Sequence, residues 1–153
     1  MAKLIFGSRI GKQGKIRLAC TAILFDSEQK VLLTRRSDNG RWCLPGGGMD
    51  PGESIEECCL REMKEETGLS VQIKRMVGIY SNPDMLVEYP DSRVQSVAVT
   101  FEVEAVGGEL GLSDETTGFA YFSLDEIKKL DLMEPHHERI ADALSMKREA
   151  YIK

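Results

Sequence analysis

Residues 47–69 read GGMDPGESIEECCLREMKEETGL, and the rest of the chain is organised around them. Gly46, Gly47 and Gly48 follow Leu44-Pro45, at the end of a short apolar run. Three glycines in a row mark backbone that turns sharply or is approached closely by another group. Asp50-Pro51-Gly52-Glu53 has the composition of a turn. A helix is predicted to follow, over about 54–67. Ser54 is its N-cap, and Glu56 and Glu57 lie in the first turn, where the helix dipole favours negative charge. Gly68 ends it.

The charges on this helix are not scattered. At 100° per residue, Arg61, Glu65, Glu62 and Glu66 fall within an arc of about 140°. Ile55, Cys59, Met63 and Leu60 take the adjoining arc and are expected to face a core. Glu62 is one turn from both Glu65 and Glu66, so three carboxylates crowd one face with only Arg61 to compensate. Like charges at that spacing cost roughly a few tenths of a kcal/mol per pair. A solvated acidic face is one explanation. A divalent counter-ion is the other: Mg²⁺ prefers carboxylate oxygen and is often held by one or two carboxylates plus substrate phosphates.

The pattern as a whole separates the two. Gly47, five residues, Glu53, seven residues, then Arg61-Glu62-Met63-Lys64-Glu65-Glu66-Thr67-Gly68-Leu69 matches the Nudix box at every position. Seven fixed positions at about 7% each give a chance match on the order of 10⁻⁸ per starting point. The chain resembles a Nudix hydrolase. The resemblance implies an α/β fold, a Nudix-type α/β/α sandwich with a mixed β-sheet carrying helices on both faces. It also implies cleavage of a phosphoanhydride bond in a nucleoside diphosphate linked to another moiety. Mg²⁺, or Mn²⁺, is the implied cofactor, held by Glu62, Glu65 and Glu66, with the Gly46 carbonyl completing the metal site. Arg61 is expected to orient Glu65 through its guanidinium fork. Glu53 either braces the loop–helix turn or binds metal. For the general base, Glu115 in Ser113-Asp114-Glu115-Thr116-Thr117 is the candidate, because relatives place an acid before the last strand. Asp114 is second, a box glutamate such as Glu65 or Glu66 competes, and a merely solvated loop acid is the alternative.

The size of 153 residues suits one domain spanning 1–153 with a real core. The net charge of −5 disfavours long nucleic acid and anionic membrane as partners but not a small phosphorylated nucleotide. Cys20, Cys43, Cys58 and Cys59 fit neither a zinc pattern nor a disulfide framework. Reduced buried thiols, and a cytoplasmic location, are the expectation. No stretch reads as a signal peptide or a membrane span.

Along the chain, residues 1–16 suit a short hairpin or edge strand. Arg17–Phe25 and Val31–Thr34 are predicted to pair as a hairpin around Asp26–Lys30. Arg41–Leu44 is a short strand that delivers the glycines, and Val71–Tyr80 alternates as a strand. Leu86–Tyr89 and Val94–Val103 form a second hairpin around Pro90-Asp91-Ser92. Phe119–Ser123 is the last strand. A short helix capped by Ser123 follows, then a C-terminal helix over 135–147 with Ile140, Ala141 and Leu144 inward. Trp42 either stacks on a base or anchors a strand end. Pro83 suits a turn or hints at a nucleotide sugar. His136 and His137 are expected to be exposed.

Substrates rank from nucleoside triphosphates or their damaged forms, through ADP-ribose and nucleotide sugars, to dinucleoside polyphosphates or a capped RNA end. A homodimer is reasonable by resemblance. The competing class is a non-catalytic Nudix-like nucleotide-binding or sensing module. Such modules usually lose box acids, and here all three are present.

Overall fold

The computed structural model describes residues 2–153. In chain order the elements are β1 (Lys3–Phe6), a 3-10 turn at Ile10–Gln13, β2 (Lys15–Leu24), β3 (Val31–Arg36), β4 (Trp42–Cys43) and β5 (Gly46–Gly48). Then come α1 (Ile55–Thr67), β6 (Leu69–Tyr80), β7 (Met85–Glu88), β8 (Arg93–Gly108) and β9 (Thr116–Phe122). The chain closes with α2 (Leu124–Ile127), α3 (Glu134–Leu144) and β10 (Tyr151–Ile152).

β8 is the spine. Along one edge it pairs in parallel with the whole of β2, from Lys15↔Val94 to Leu24↔Val103. Along the other it pairs antiparallel first with β7 and then with β6. β1 extends the sheet beyond β7 as an edge strand, and β5 extends it beyond β2. The parallel and antiparallel pairs together make the mixed sheet that the resemblance implies. A smaller sheet, β4–β3–β9, stands beside it.

Strand alternation sends side chains to two cores. From β2, Cys20, Ala22 and Leu24 join Val99, Phe101 and Val103 of β8 beneath α1, which adds Cys58, Cys59 and Met63. Ile23 points the other way and packs with Val77, Ile127, Leu132, Ile140 and Ala143 under α2 and α3. Helices therefore cover both faces. No described helix is long and apolar enough to cross a membrane.

Three expectations are corrected. β2 and β3 do not form a hairpin: they enter different sheets, joined only by the bridge Phe25↔Val31. Each has a stronger partner, β8 for β2 and β9 for β3. Of the two readings of the glycines, close approach holds and the sharp turn does not: they form β5, pairing Gly46, Gly47 and Gly48 with Thr21, Cys20 and Ala19. On α3 the inward face carries His136, Arg139, Ile140 and Ala143, while Ala141 is exposed. His136 is 8% exposed, so the expectation for it fails, whereas His137 is exposed as expected.

Candidate active site

The glycine strand and α1 are held face to face. Ser54 caps α1 by accepting from the Glu57 N–H at 3.1 Å, and the Glu57 carboxylate accepts from the Ser54 N–H at 2.7 Å. This reciprocal capping box fixes where the helix begins. Gly68 closes it at φ 78°, a left-handed conformation that glycine adopts without penalty. A Cβ on Gly47 would stand 2.5 Å from Glu62 Oε1. Close approach by another group, not a turn, is what the glycines provide.

Arg61 is the centre of the charge network. Its Nε and Nη2 donate to both oxygens of Glu53, at 2.9 and 2.7 Å. Nη1 donates to Glu62 Oε1 at 2.9 Å and to Glu65 Oε2 at 3.2 Å. Nη2 also reaches the Gly48 carbonyl at 3.1 Å. One guanidinium thus links the turn, the glycine strand and two box acids. Glu53 is the arm of this brace: its hydrogen bonds with Arg61 and the Asp50 N–H hold its carboxyl down at about 2. It lies in the loop–helix turn, as the bracing role requires.

Glu66 is different. Its Oε2 accepts from the Gly46 N–H at 3.1 Å, and burial pushes its pKa up to about 8, against the help of that N–H. The neighbouring charges of Glu62 and Glu115 push the same way. Glu62, 9% exposed, is also raised by burial, opposed by Arg61. Two half-compensated carboxylates therefore face a cleft of about 430 Å³ lined by Gly46, Gly47, Gly48 and Glu115.

The structure brings together most of the residues expected from sequence. Glu62, Glu66, Gly46 and Glu115 share the cleft, and Arg61 lies behind it. Glu65 does not line it; its side chain is 59% exposed and turned to Arg61. Asp114 is also outside the lining. Trp42 packs edge-on against Phe122, ring centroids 4.9 Å apart, and so anchors a strand end. Pro83 accepts from the Gly11 N–H and does not line the cleft. A broader depression of about 880 Å³ between the 3-10 turn and the β7–β8 connection contains no box acid. Most of its walls are exposed surface residues, and it holds none of the carboxylates that line the smaller cleft.

Among the cleft residues that lie outside the sequence expectations are Arg17, Arg36 and Tyr89. Arg36 is tied to Asp38 by two bonds of 2.8 Å, which hold the Asp38 carboxyl at about 2. Arg17 lies over Gly48, where a Cβ would strike its guanidinium. The odd-numbered alternation Arg17, Ala19, Thr21 was the available signal, but it points at the cleft only once β2 is known to pair with β5.

A hard divalent cation fits this donor set. Among the described residues no three His, Cys, Asp or Glu side chains converge tightly enough to cage a metal unaided. The donors are nonetheless carboxylate oxygens, and the half-buried Glu66 has a single backbone N–H where a cation would satisfy its charge. That is the arrangement of an ion shared between one or two carboxylates and substrate phosphates.

Comparison with known proteins agrees with this geometry. The family model for the NUDIX domain matches residues 15–144. An ADP-ribose pyrophosphatase from Methanocaldococcus jannaschii is 36% identical over 120 residues, covering 76% of this chain and 66% of that protein. The nucleoside triphosphatase NudI of Salmonella agona is 29% identical over 118 residues, 71% of this chain and 84% of that one. Among solved structures, an ADP-ribose pyrophosphatase from Streptococcus suis superposes with a TM-score of 0.66 at 27% identity, covering 89% and 96% of the two chains. With its complete box, its layered fold and this domain match, the chain belongs to the NUDIX domain family.

Proposed function

We propose that this protein is a divalent-metal-dependent hydrolase of a phosphoanhydride bond in a nucleoside diphosphate linked to another group. The observation that carries the reading is the pairing of half-buried Glu66 and buried Glu62 against a glycine strand that leaves no room for a side chain. Glu62 and Glu66 would hold Mg²⁺ or Mn²⁺ from α1, with a main-chain oxygen of the glycine strand as a further donor. When bound, the ion neutralises pyrophosphate oxygens so that water can approach an anion.

The chain's own groups divide the remaining work. Arg61 holds Glu62 and Glu65 in place and does not line the cleft. Arg17 and Arg36 add positive charge to the cleft lining, where phosphate oxygens would lie. Glu115 reaches the cleft from the β9 side and is the candidate to take a proton from the attacking water. Tyr89 offers a ring for stacking a base or sugar.

ADP-ribose is the first substrate to test, since the relative matched at 36% identity is named for it. The nucleoside triphosphates favoured on sequence alone come next, supported by the match at 29%. The test is phosphate or nucleoside monophosphate release from ADP-ribose, nucleotide sugars, nucleoside triphosphates and dinucleoside polyphosphates, with Mg²⁺ and with Mn²⁺. Glu66→Gln should lose at least a hundredfold in turnover while keeping its fold. Glu115→Gln should lower turnover and leave metal affinity intact. Full activity in Glu66→Gln would remove the metal assignment. Silence of the folded, metal-loaded protein across the panel would favour a sensing module.

A further inference from the structure

A second, smaller cavity shares no lining residue with the cleft. It lies between α3 and the end of β6, with Phe6, Tyr80 and Met85 as apolar wall, Arg139 and Lys153 as its cations, and Glu134 and Glu138 as its carboxylates. Arg139 is 6% exposed, and its Nε has no hydrogen-bond partner. No ion pair satisfies it among the described residues; its guanidinium only overlies the Tyr80 ring, 5.3 Å from the centroid.

The neighbouring charges are already engaged. Glu134 accepts two bonds of 3.0 Å from Arg41. Asp142 accepts from Tyr80 Oη at 2.8 Å and from Lys153 Nζ at 3.0 Å. Glu138 faces Lys153 at 3.4 Å. Arg139 is therefore a buried cation that feels the charge of Glu138 but makes no ion-pair contact among the described residues, at the wall of the cavity. An unpaired buried charge is costly, and a cation–π contact replaces only part of what water or a carboxylate supplies.

We propose that this cavity binds a small oxyanion, phosphate or a short carboxylate, with Arg139 as its charge partner. The guanidinium fork suits two oxygens of either group. The volume of about 190 Å³ is equivalent to about six waters at roughly 30 Å³ each. That admits phosphate or a carboxylate with a short apolar tail, which Phe6 and Met85 would cover. It falls short of the roughly 300 Å³ at which pockets for larger ligands begin, so a whole nucleotide is excluded. The occupant would tie α3 to β6 through Arg139.

The test uses the full ¹⁵N-labelled chain without divalent metal. Inorganic phosphate and acetate are titrated separately, with sodium chloride at matched ionic strength as the reference. The expected result is a saturable shift of the Arg139 Nε–Hε resonance, with the Asn82 and Lys153 amides moving together, for at least one anion. The anion that saturates at the lower concentration identifies the class. In Arg139→Gln the amide shifts should vanish. Shifts no larger than those from chloride, or amide shifts that persist in Arg139→Gln, would overturn the proposal. Should that variant fail to fold, the wild-type Nε–Hε resonance decides alone, because Arg139 is the one guanidinium among the residues lining the cavity.

Discussion

Gly47 and His136 show how single positions carry consequences in opposite directions. A Cβ at position 47 meets the Glu62 carboxylate at 2.5–2.8 Å. That carboxylate ends a flexible side chain, so Gly47→Ala should cost only about 1 kcal/mol of stability. The displaced group is a proposed metal ligand, however. Metal affinity should fall about 10- to 100-fold, as read by Mn²⁺ titration. Unchanged affinity would mean that Glu62 does not hold the ion. His136 acts through pH. Burial, reinforced by the charge of Arg139, keeps its pKa well below 6.5, so it is neutral when folded. The unfolded chain takes up a proton below about 6.5, and stability must therefore fall as pH drops through that value. From pH 7 to pH 5 the wild type should lose about 2 kcal/mol more than His136→Gln. Denaturant titrations of both proteins in MES at the two pH values check this; equal losses would show that His136 ionises in the fold.

At the scale of elements, α1 has two separable jobs, folding and chemistry. Its N-terminus is stabilised by the Ser54–Glu57 box, and its fifth to twelfth residues carry Cys59, Arg61, Glu62 and Glu66. Ser54→Ala removes one side of the box. It should cost about 1 kcal/mol, seen in denaturant unfolding, with turnover per folded molecule unchanged. A large loss of turnover instead would show that the cap also sets the position of Glu53 and hence of Arg61. α2 repeats the same device with Ser123 and Glu126, at 3.2 and 2.7 Å. Both caps were legible in sequence because a capping box is a local pattern of four residues. The C-terminal helix was legible only in part: Ile140 and Leu144 pack inward as expected, but Ala141 is exposed and the polar His136 and Arg139 are buried.

For the whole molecule, one sheet separates two cores, and the same strands supply both. Cys20 and Ala22 serve the α1 side and Ile23 the α3 side, one residue apart. We propose that the chain unfolds as one domain. Met63→Ala and Ile140→Ala, on opposite sides, should each cost about 2–5 kcal/mol and shift a single cooperative transition. Two resolved transitions in calorimetry would instead reveal two units.

The sequence by itself determined the box helix, its caps, the strand periods, the crowding of Glu62 and Glu66 on one helix face, and thereby the family. These features depend on residues within a few positions of each other, so periodicity and spacing report them directly. Only the tertiary structure decided that β2 pairs with β8 and β5 instead of β3, and that the glycines form a strand. It alone brought Arg17, Arg36 and Tyr89 to the carboxylates, turned Glu65 out of the cleft, and buried His136 and Arg139. Strand partners here lie as far apart as Lys15 and Val94. Which strands pair is settled by competition among all possible burials and ladders in the compact chain, and no local pattern records the winner.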